Sequence, residues 1–361
     1  MPDHRLLLSP ISIGDLTLSN RIVMPPMVTS RAGDDGLVTA EHIEHYRLRS
    51  GPGLVIVEGA AVLPEGRISR RQLEISSDRH IKGLGRLSKV IHENGAVAGI
   101  QIHHAGCVAL NEVQGNRANH FVGIVARLVK QQLTLSGLAR IREAFKAAAR
   151  RAVEAGFDIV EIHGAHGYIF SQFLSPLTNW RFDRYGGKIE KRRRLLLEVF
   201  QDIHSEVAGK ALIICRLGVA DRHRRGLSLS EGLSTAFALE KEGAKLLDVS
   251  SGSGTPSNVR PQGGPFSTQL HLARAAKLAL SIPVIGGGGI IHPDLAERAL
   301  QEGMADMIFV GRGLLADPAW AQKTIEGRPE TIVVCRRCNN CSYHRDWTKC
   351  PTRREVSSSR N

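Results

Sequence analysis

Residues 158–187 read DIVEIHGAHGYIFSQFLSPLTNWRFDRYGG. The stretch opens as an apolar run, Asp158-Ile159-Val160-Glu161-Ile162, and ends in two histidines three residues apart, His163 and His166, with Tyr168 two residues further on. A short apolar run bounded by glycine and polar residues reads as a buried strand that delivers its last side chains to a polar end. A single histidine at such a place would cap the strand or sit satisfied in a core. Two histidines and a tyrosine together need a site, and whether one exists depends on what the rest of the chain builds around them.

Seven further runs of the same kind are present. With the one above, the predicted strands are 21–27, 54–58, 96–102, 158–163, 211–217, 245–250, 282–287 and 306–311. Amphipathic segments lie between them. In 141–155, Ile141, Ala144, Phe145, Ala148 and Ala152 recur at helical spacing, and 294–302 is opened by Pro293 and closed by Gly303. Strands alternating with helices form a parallel sheet, and eight of them close into a (β/α)₈ TIM barrel. An open doubly wound sheet is the competitor, but no G-x-G-x-x-G follows the first strand. The opening segment LLLSPISIGDLTLSN, with a turn at Gly14-Asp15, reads as an N-terminal hairpin plugging the barrel floor.

Composition narrows the classes. With 361 residues, 42% hydrophobic content and 37 glycines, the chain suits a globular α/β enzyme. No apolar run approaches the roughly 20 residues of a membrane span, and the N-terminus lacks a secretory stretch, so the expected location is cytoplasmic. The net charge of +13 falls in runs such as 191–194 and 222–225, and aromatic content is 5%. Basic runs without interleaved aromatics read as solvated faces and, next, as attraction for anionic substrates or phosphate-bearing cofactors, not as a nucleic-acid surface. Of six cysteines, Cys335, Cys338, Cys341 and Cys350 cluster in the last 27 residues, which points to a metal or cluster site over a disulfide framework.

In a barrel of this kind, reactive groups project from the C-terminal ends of the strands. Pro25-Pro26-Met27 closes the first, Gly59-Ala60 follows the second, and Gln101 ends the third, with His103 and His104 just beyond. His163 ends the fourth, Arg216 the fifth, Ser250 to Gly252 follow the sixth, Gly286 to Gly289 the seventh, and Gly311-Arg312 the eighth. Glycines after strands seven and eight let backbone N–H groups approach a phosphate, aided by a helix N-terminus.

These residues carry a family resemblance. The segment VEIHGAHGYIFSQFLSP followed by NWRFDRYGG resembles the signature of the Old Yellow Enzyme family of flavin-dependent ene-reductases. The likeness runs from NRIVMPPM through GIQIHHAG to GRGLLADP, and covers nearly the whole chain except 107–135. It implies non-covalent FMN across the barrel mouth and NAD(P)H as reductant. His163 and His166 would donate hydrogen bonds to a substrate oxygen, and Tyr168 would be the proton donor to the α-carbon of an activated C=C bond. Gln101 would bond the flavin pyrimidine edge and Arg216 would place positive charge near N1. Pro26, Met27 and Gly59 would frame the ring, and Gly287, Gly288, Gly311 and Arg312 would hold the phosphate.

The tail adds Cys335-x-x-Cys338-x-x-Cys341 and then Cys350-Pro351. Multidomain relatives resembling 2,4-dienoyl-CoA reductase and trimethylamine dehydrogenase carry a [4Fe-4S] cluster at this place, with somewhat longer gaps. Four thiolates suit Zn²⁺ or an Fe–S cluster, and position favours the cluster. Neighbouring Arg336, Arg337, Arg345 and Lys349 are expected to lower the thiol pKa values. The chain thus divides into an FMN-binding barrel, 1–330, and a Cys-rich tail, 331–361. Cys107 stands where many relatives have arginine and Val28 where some have threonine or cysteine, so the substrate does not follow from the family. The alternatives are oxidative demethylation of a methylated amine and a non-redox barrel lyase or isomerase of phosphorylated substrates. Expected partners are a small-molecule substrate, with no nucleic acid or membrane; an electron-transfer partner and a homo-oligomer stay open.

Overall fold

The computed structural model describes residues 4–109, 133–253, 264–338, 341, 343 and 349–352. Strands β1 (Ile11–Ile13) and β2 (Leu16–Leu18) form an antiparallel hairpin turned at Gly14. Eight parallel strands then close a barrel: β3 (Ile22–Met24), β4 (Leu54–Ala61), β5 (Val97–His103), β6 (Ile159–Gly164), β7 (Leu212–Gly218), β8 (Leu247–Ser250), β9 (Val284–Gly287) and β10 (Met307–Phe309). All eight coincide with the predicted runs. Closure is made by β10 against β3, where Ile308 pairs Ile22 and Phe309 pairs Val23.

The strands are buried on both faces, as a parallel sheet under helices must be. Alternate residues Val23, Ile56, Ile159, Ile214, Ile285 and Met307 point inward and form one cluster with Ile13 and Leu18 of the hairpin. The hairpin is therefore the plug the sequence predicts. The opposite set, including Val55, Val57, Val160 and Ile162, packs in the larger outer core with Leu87, Phe145, Phe200 and Leu239 of the surrounding helices. Cutting one of these side chains to alanine costs about 2–5 kcal/mol.

Helices follow the strands: α1 (Ala40–Arg47), α2 (Ile81–Glu93), α3 (Leu135–Glu154), α4 (Ile169–Leu174), α5 (Ile189–Arg192), α6 (Arg194–Val207), α7 (Leu229–Lys241), α8 (Thr268–Ala279), α9 (Pro293–Gln301), α10 (Arg312–Ala316) and α11 (Trp320–Ile325). Local chemistry sets their starts. Thr134 Oγ1 accepts from Gly137 N, and Ser228 with Glu231 forms a reciprocal capping box.

Three boundaries differ from the sequence reading. β3 stops at Met24, not residue 27, because Pro25 and Pro26 have no N–H to give a ladder. β4 runs on to Ala61 through a register shift between Val57 and Ala60. α3 begins at Leu135, not residue 141, since its Thr134 cap outweighs an opening turn with little apolar periodicity. Most of the stretch 107–135 lies outside the described residues. Among those described, no helix is long and apolar enough to cross a membrane.

Candidate active site

Strand polarity brings Gln101, His163, Arg216, Ser250 and Gly287 to one end of the barrel, where β5, β6, β7, β8 and β9 terminate. Tyr168 follows as the residue capping α4. Between β6 and α4 the chain turns sharply through His166 (φ 60°) and Gly167 (φ 76°). A histidine in the left-handed region carries strain of order 1 kcal/mol, a cost that clusters at functional sites. The turn is pinned where His166 N–H donates to Ser251 O at 3.2 Å.

The histidines form a chain. His103 Nδ1 lies 3.0 Å from His163 Nδ1, His163 Nε2 lies 2.9 Å from His166 Nδ1, and His166 Nε2 lies 2.7 Å from Ser250 Oγ. The Tyr168 ring stands edge-on to His103 at 4.4 Å and 4.9 Å from His163. Burial pushes His103 and His166 down to about 3 and holds His163 well below the usual histidine range. These rings are neutral near pH 7. Burial raises the Tyr168 phenol, so it keeps its proton.

Beneath them lies a charged layer. Gln101 Nε2 donates to Glu161 Oε1 at 2.7 Å, and Arg216 Nε sits 3.2 Å from Asp248 Oδ2 without an aligned hydrogen bond. Glu161 and Asp248 are buried together, and burial raises both above the ordinary carboxylate range. For Glu161 the charge of Asp248 adds to the rise, while Arg216 opposes it on both. Two adjacent buried carboxyls beside one guanidinium thus hold a proton to higher pH than free carboxyls do. Because Gln101 donates to Glu161, its carbonyl oxygen is left to face Gly59: a Cβ on Gly59 would lie 3.1 Å from Gln101 Oε1.

At the ends of β9 and β10, Gly288 (φ 100°) and Gly289 (φ 73°) open a cradle beside Gly287, Gly311 and Arg312. A Cβ on Gly288 would meet Ser267 Oγ at 2.8 Å. Pro26 and Met27 are half-buried on the loop after β3, and the Met27 sulfur approaches the Cβ direction of Gly311 at 3.4 Å. The residues expected to frame a flavin ring and its phosphate therefore lie where the strands end or on the loops just after them.

The tail packs against this cradle. Arg337 Nη2 donates to Gly289 O at 2.8 Å. Tyr343 is buried, its hydroxyl accepting from Arg49 Nη2 at 3.2 Å under the Arg31 guanidinium. Cys335, Cys338, Cys341 and Cys350 are all half-buried free thiols. Among the described residues, no group of three or more His, Cys, Asp or Glu side chains is arranged to hold a metal ion. The expectation of lowered thiol pKa values fails at Cys335, where burial raises the pKa, opposed by the Arg337 N–H and Arg312; Cys341 and Cys350 raise it further.

Four participants had no role in the sequence reading: His103, Glu161, Ser250 and Asp248. A signal existed for two of them, since Glu161 and Asp248 are acids embedded in otherwise apolar strand runs. His103 and Ser250 gain their partners only through strand neighbours distant in sequence.

A model of the NADH:flavin oxidoreductase / NADH oxidase family matches residues 6–331. The chain is 39% identical over 340 residues to an NADH oxidase of Thermoanaerobacter brockii, covering 91% of this chain but 52% of that protein. It is 38% identical to an NADPH dehydrogenase of Geobacillus sp. (strain WCH70), covering 95% and 98%. The solved structure of 2-naphthoyl-CoA reductase in complex with 2-naphthoyl-CoA superposes with a TM-score of 0.83 at 26% identity, covering 94% of this chain and 55% of that one.

Proposed function

The chain belongs to the NADH:flavin oxidoreductase / NADH oxidase family, the Old Yellow Enzyme family, and from that premise we propose that it reduces activated C=C bonds with FMN and NAD(P)H. The observation that carries the reading is the convergence of Gln101, Arg216, the His163–His166–Tyr168 set and the glycine cradle on one barrel end. A non-redox lyase or isomerase drops out with family membership.

The residues fit FMN. Arg216 Nε is buried and lacks a hydrogen bond, Gly59 keeps the space before Gln101 open, and Gly288 and Gly289 turn where an L side chain is disfavoured. Bound FMN supplies hydride taken from NAD(P)H. Glu161 fixes the amide of Gln101 and leaves its carbonyl oxygen free to accept a hydrogen bond from bound FMN. Arg216 would supply positive charge to the reduced cofactor, and Arg312 with the cradle glycines would hold its phosphate. His163 and His166 hold the substrate's electron-withdrawing oxygen and stabilise charge gathering there. As the β-carbon receives hydride, Tyr168 Oη transfers its proton to the α-carbon and saturates the bond.

The purified protein is expected to be yellow, to release FMN on heat denaturation, and to turn over α,β-unsaturated carbonyl compounds. A colourless protein that takes up no added FMN overturns the reading. Turnover of methylated amines without enone reduction moves the chain to oxidative demethylation.

The division into a barrel, 1–330, and a tail, 331–361, belongs to the proposal. The four tail thiols are its donor set for one metal centre, [4Fe-4S] before Zn²⁺, supported by donor chemistry and by the place of the four half-buried thiols directly after the barrel. Metal analysis of anaerobically purified protein tests it. About four irons with matching sulfide give the cluster, one zinc gives a structural staple, and neither refutes the site.

A further inference from the structure

His163 and His166 have all four ring nitrogens engaged inside the protein, by His103, by each other and by Ser250. A substrate oxygen therefore finds no open donor on the pair. One internal bond must give way, and the proton inventory says which.

Each neutral imidazole has one N–H and one lone pair, so the chain of rings runs in one of two directions. If His103 Nδ1 donates inward, every proton points toward Ser250. Its hydroxyl then accepts from His166 and from Gln269 Nε2 at 3.3 Å, and its own proton meets no acceptor among the described residues. In the other direction the same three links are made and the Ser250 proton is used as well. Ser250 donates to His166 Nε2, His166 Nδ1 to His163 Nε2, and His163 Nδ1 to His103 Nδ1. Only His103 Nε2 is then without a partner. Each direction leaves one buried proton without an acceptor, on Ser250 Oγ in the first and on His103 Nε2 in the second, but the first also strands the lone pair of His103 Nε2; that extra unmatched buried group costs about 1–3 kcal/mol and favours the second direction.

We propose that His103 is the resident acceptor of the pocket: its Nδ1 occupies the His163 Nδ1–H that a substrate oxygen takes, making His103 a specificity-determining residue. This rests on the reading that the histidine pair binds substrate oxygen. A substrate is then held only by outcompeting an imidazole nitrogen. Oxygens rich in electron density, such as phenolates and conjugated enone carbonyls, succeed, and weakly accepting ester oxygens fail. Displacement also moves the ring that stands 4.4 Å from Tyr168, so arrival of the oxygen shifts the surroundings of the proton donor.

The test uses the FMN-loaded enzyme and titrates 4-hydroxybenzaldehyde, followed by the flavin absorbance change. In His103→Leu, the dissociation constant is expected to fall about tenfold, the value of one hydrogen bond. His103→Gln restores an acceptor and is expected to return the constant toward wild type. Histidine-selective ¹⁵N NMR of the wild-type protein is independent of any variant: His163 must carry its proton on Nδ1. Unchanged or weaker binding in His103→Leu overturns the proposal alone, as does a proton on His163 Nε2. Absence of phenol binding in both wild type and His103→Leu overturns the underlying reading and this proposal with it.

Discussion

Acid should unfold this protein through the rings at its barrel mouth. His103 and His166 are held at about 3, His104 at about 4 and His163 well below normal, all chiefly by burial. Their value in an unfolded chain is about 6.5. The folded state thus refuses protons that the unfolded chain accepts. Their stability is fully present above about pH 6.5 and is lost as pH falls toward the folded values. Between about pH 7 and pH 5 the loss is about 1.9 kcal/mol for each ring, or about 8 kcal/mol for four. The Glu161–Asp248 pair has the opposite sign. Its raised pKa values let the folded state keep a proton that the unfolded chain releases, so its contribution grows as pH falls. One retained proton returns at most about 2.7 kcal/mol over the same interval. The net loss is about 5 kcal/mol, comparable to the whole stability of an ordinary domain. Equilibrium urea unfolding followed by far-UV circular dichroism, at fixed FMN concentration, measures it directly. His103→Leu should remove about a quarter of the histidine slope. A stability that is flat, or that rises, between pH 7 and 5 refutes the reasoning.

Tyr168→Phe should leave flavin reduction by NAD(P)H intact and slow enone turnover roughly 10²-fold or more, read by stopped-flow of the two half-reactions. Asp248→Leu leaves the Arg216 guanidinium buried without its carboxylate and should cost about 3–5 kcal/mol in urea unfolding, whereas Asp248→Asn should cost less. Gly288→Ala forces a Cβ against Ser267 and Gln269 at φ 100°. FMN affinity, measured by fluorescence quenching on titration, should weaken at least about tenfold, the equivalent of about 1.4 kcal/mol, while the far-UV spectrum stays unchanged.

Most of the barrel was legible because each strand, buried on both faces, writes itself as an apolar run, and the residue ending it is polar or glycine. The His163–His166–Tyr168 set could be read for the same reason: strand, turn and helix cap are contiguous in sequence. What escaped is non-local. His103 meets His163 across 60 positions and His166 meets Ser250 across 84, so only strand pairing reveals the relay. The tail misled in a different way. Its arginines suggest low thiol pKa values, yet burial of Cys335 against the cradle outweighs them.

The seam between β3 and β10 has a consequence for biosynthesis. Ile22 and Val23 leave the ribosome before their partners Ile308 and Phe309, which come 286 residues later. The N-terminal segment waits as well, since Leu7 N–H donates to Glu297 and His4 meets Asp294. At roughly 5–20 residues per second, the delay is on the order of 15–60 s. Until β10 arrives, β3 has no partner on that side, and an unpaired strand edge is prone to pair with a neighbouring chain on the same polysome. Recombinant yield should therefore depend on synthesis rate and chaperone supply more than on the stability of the finished barrel.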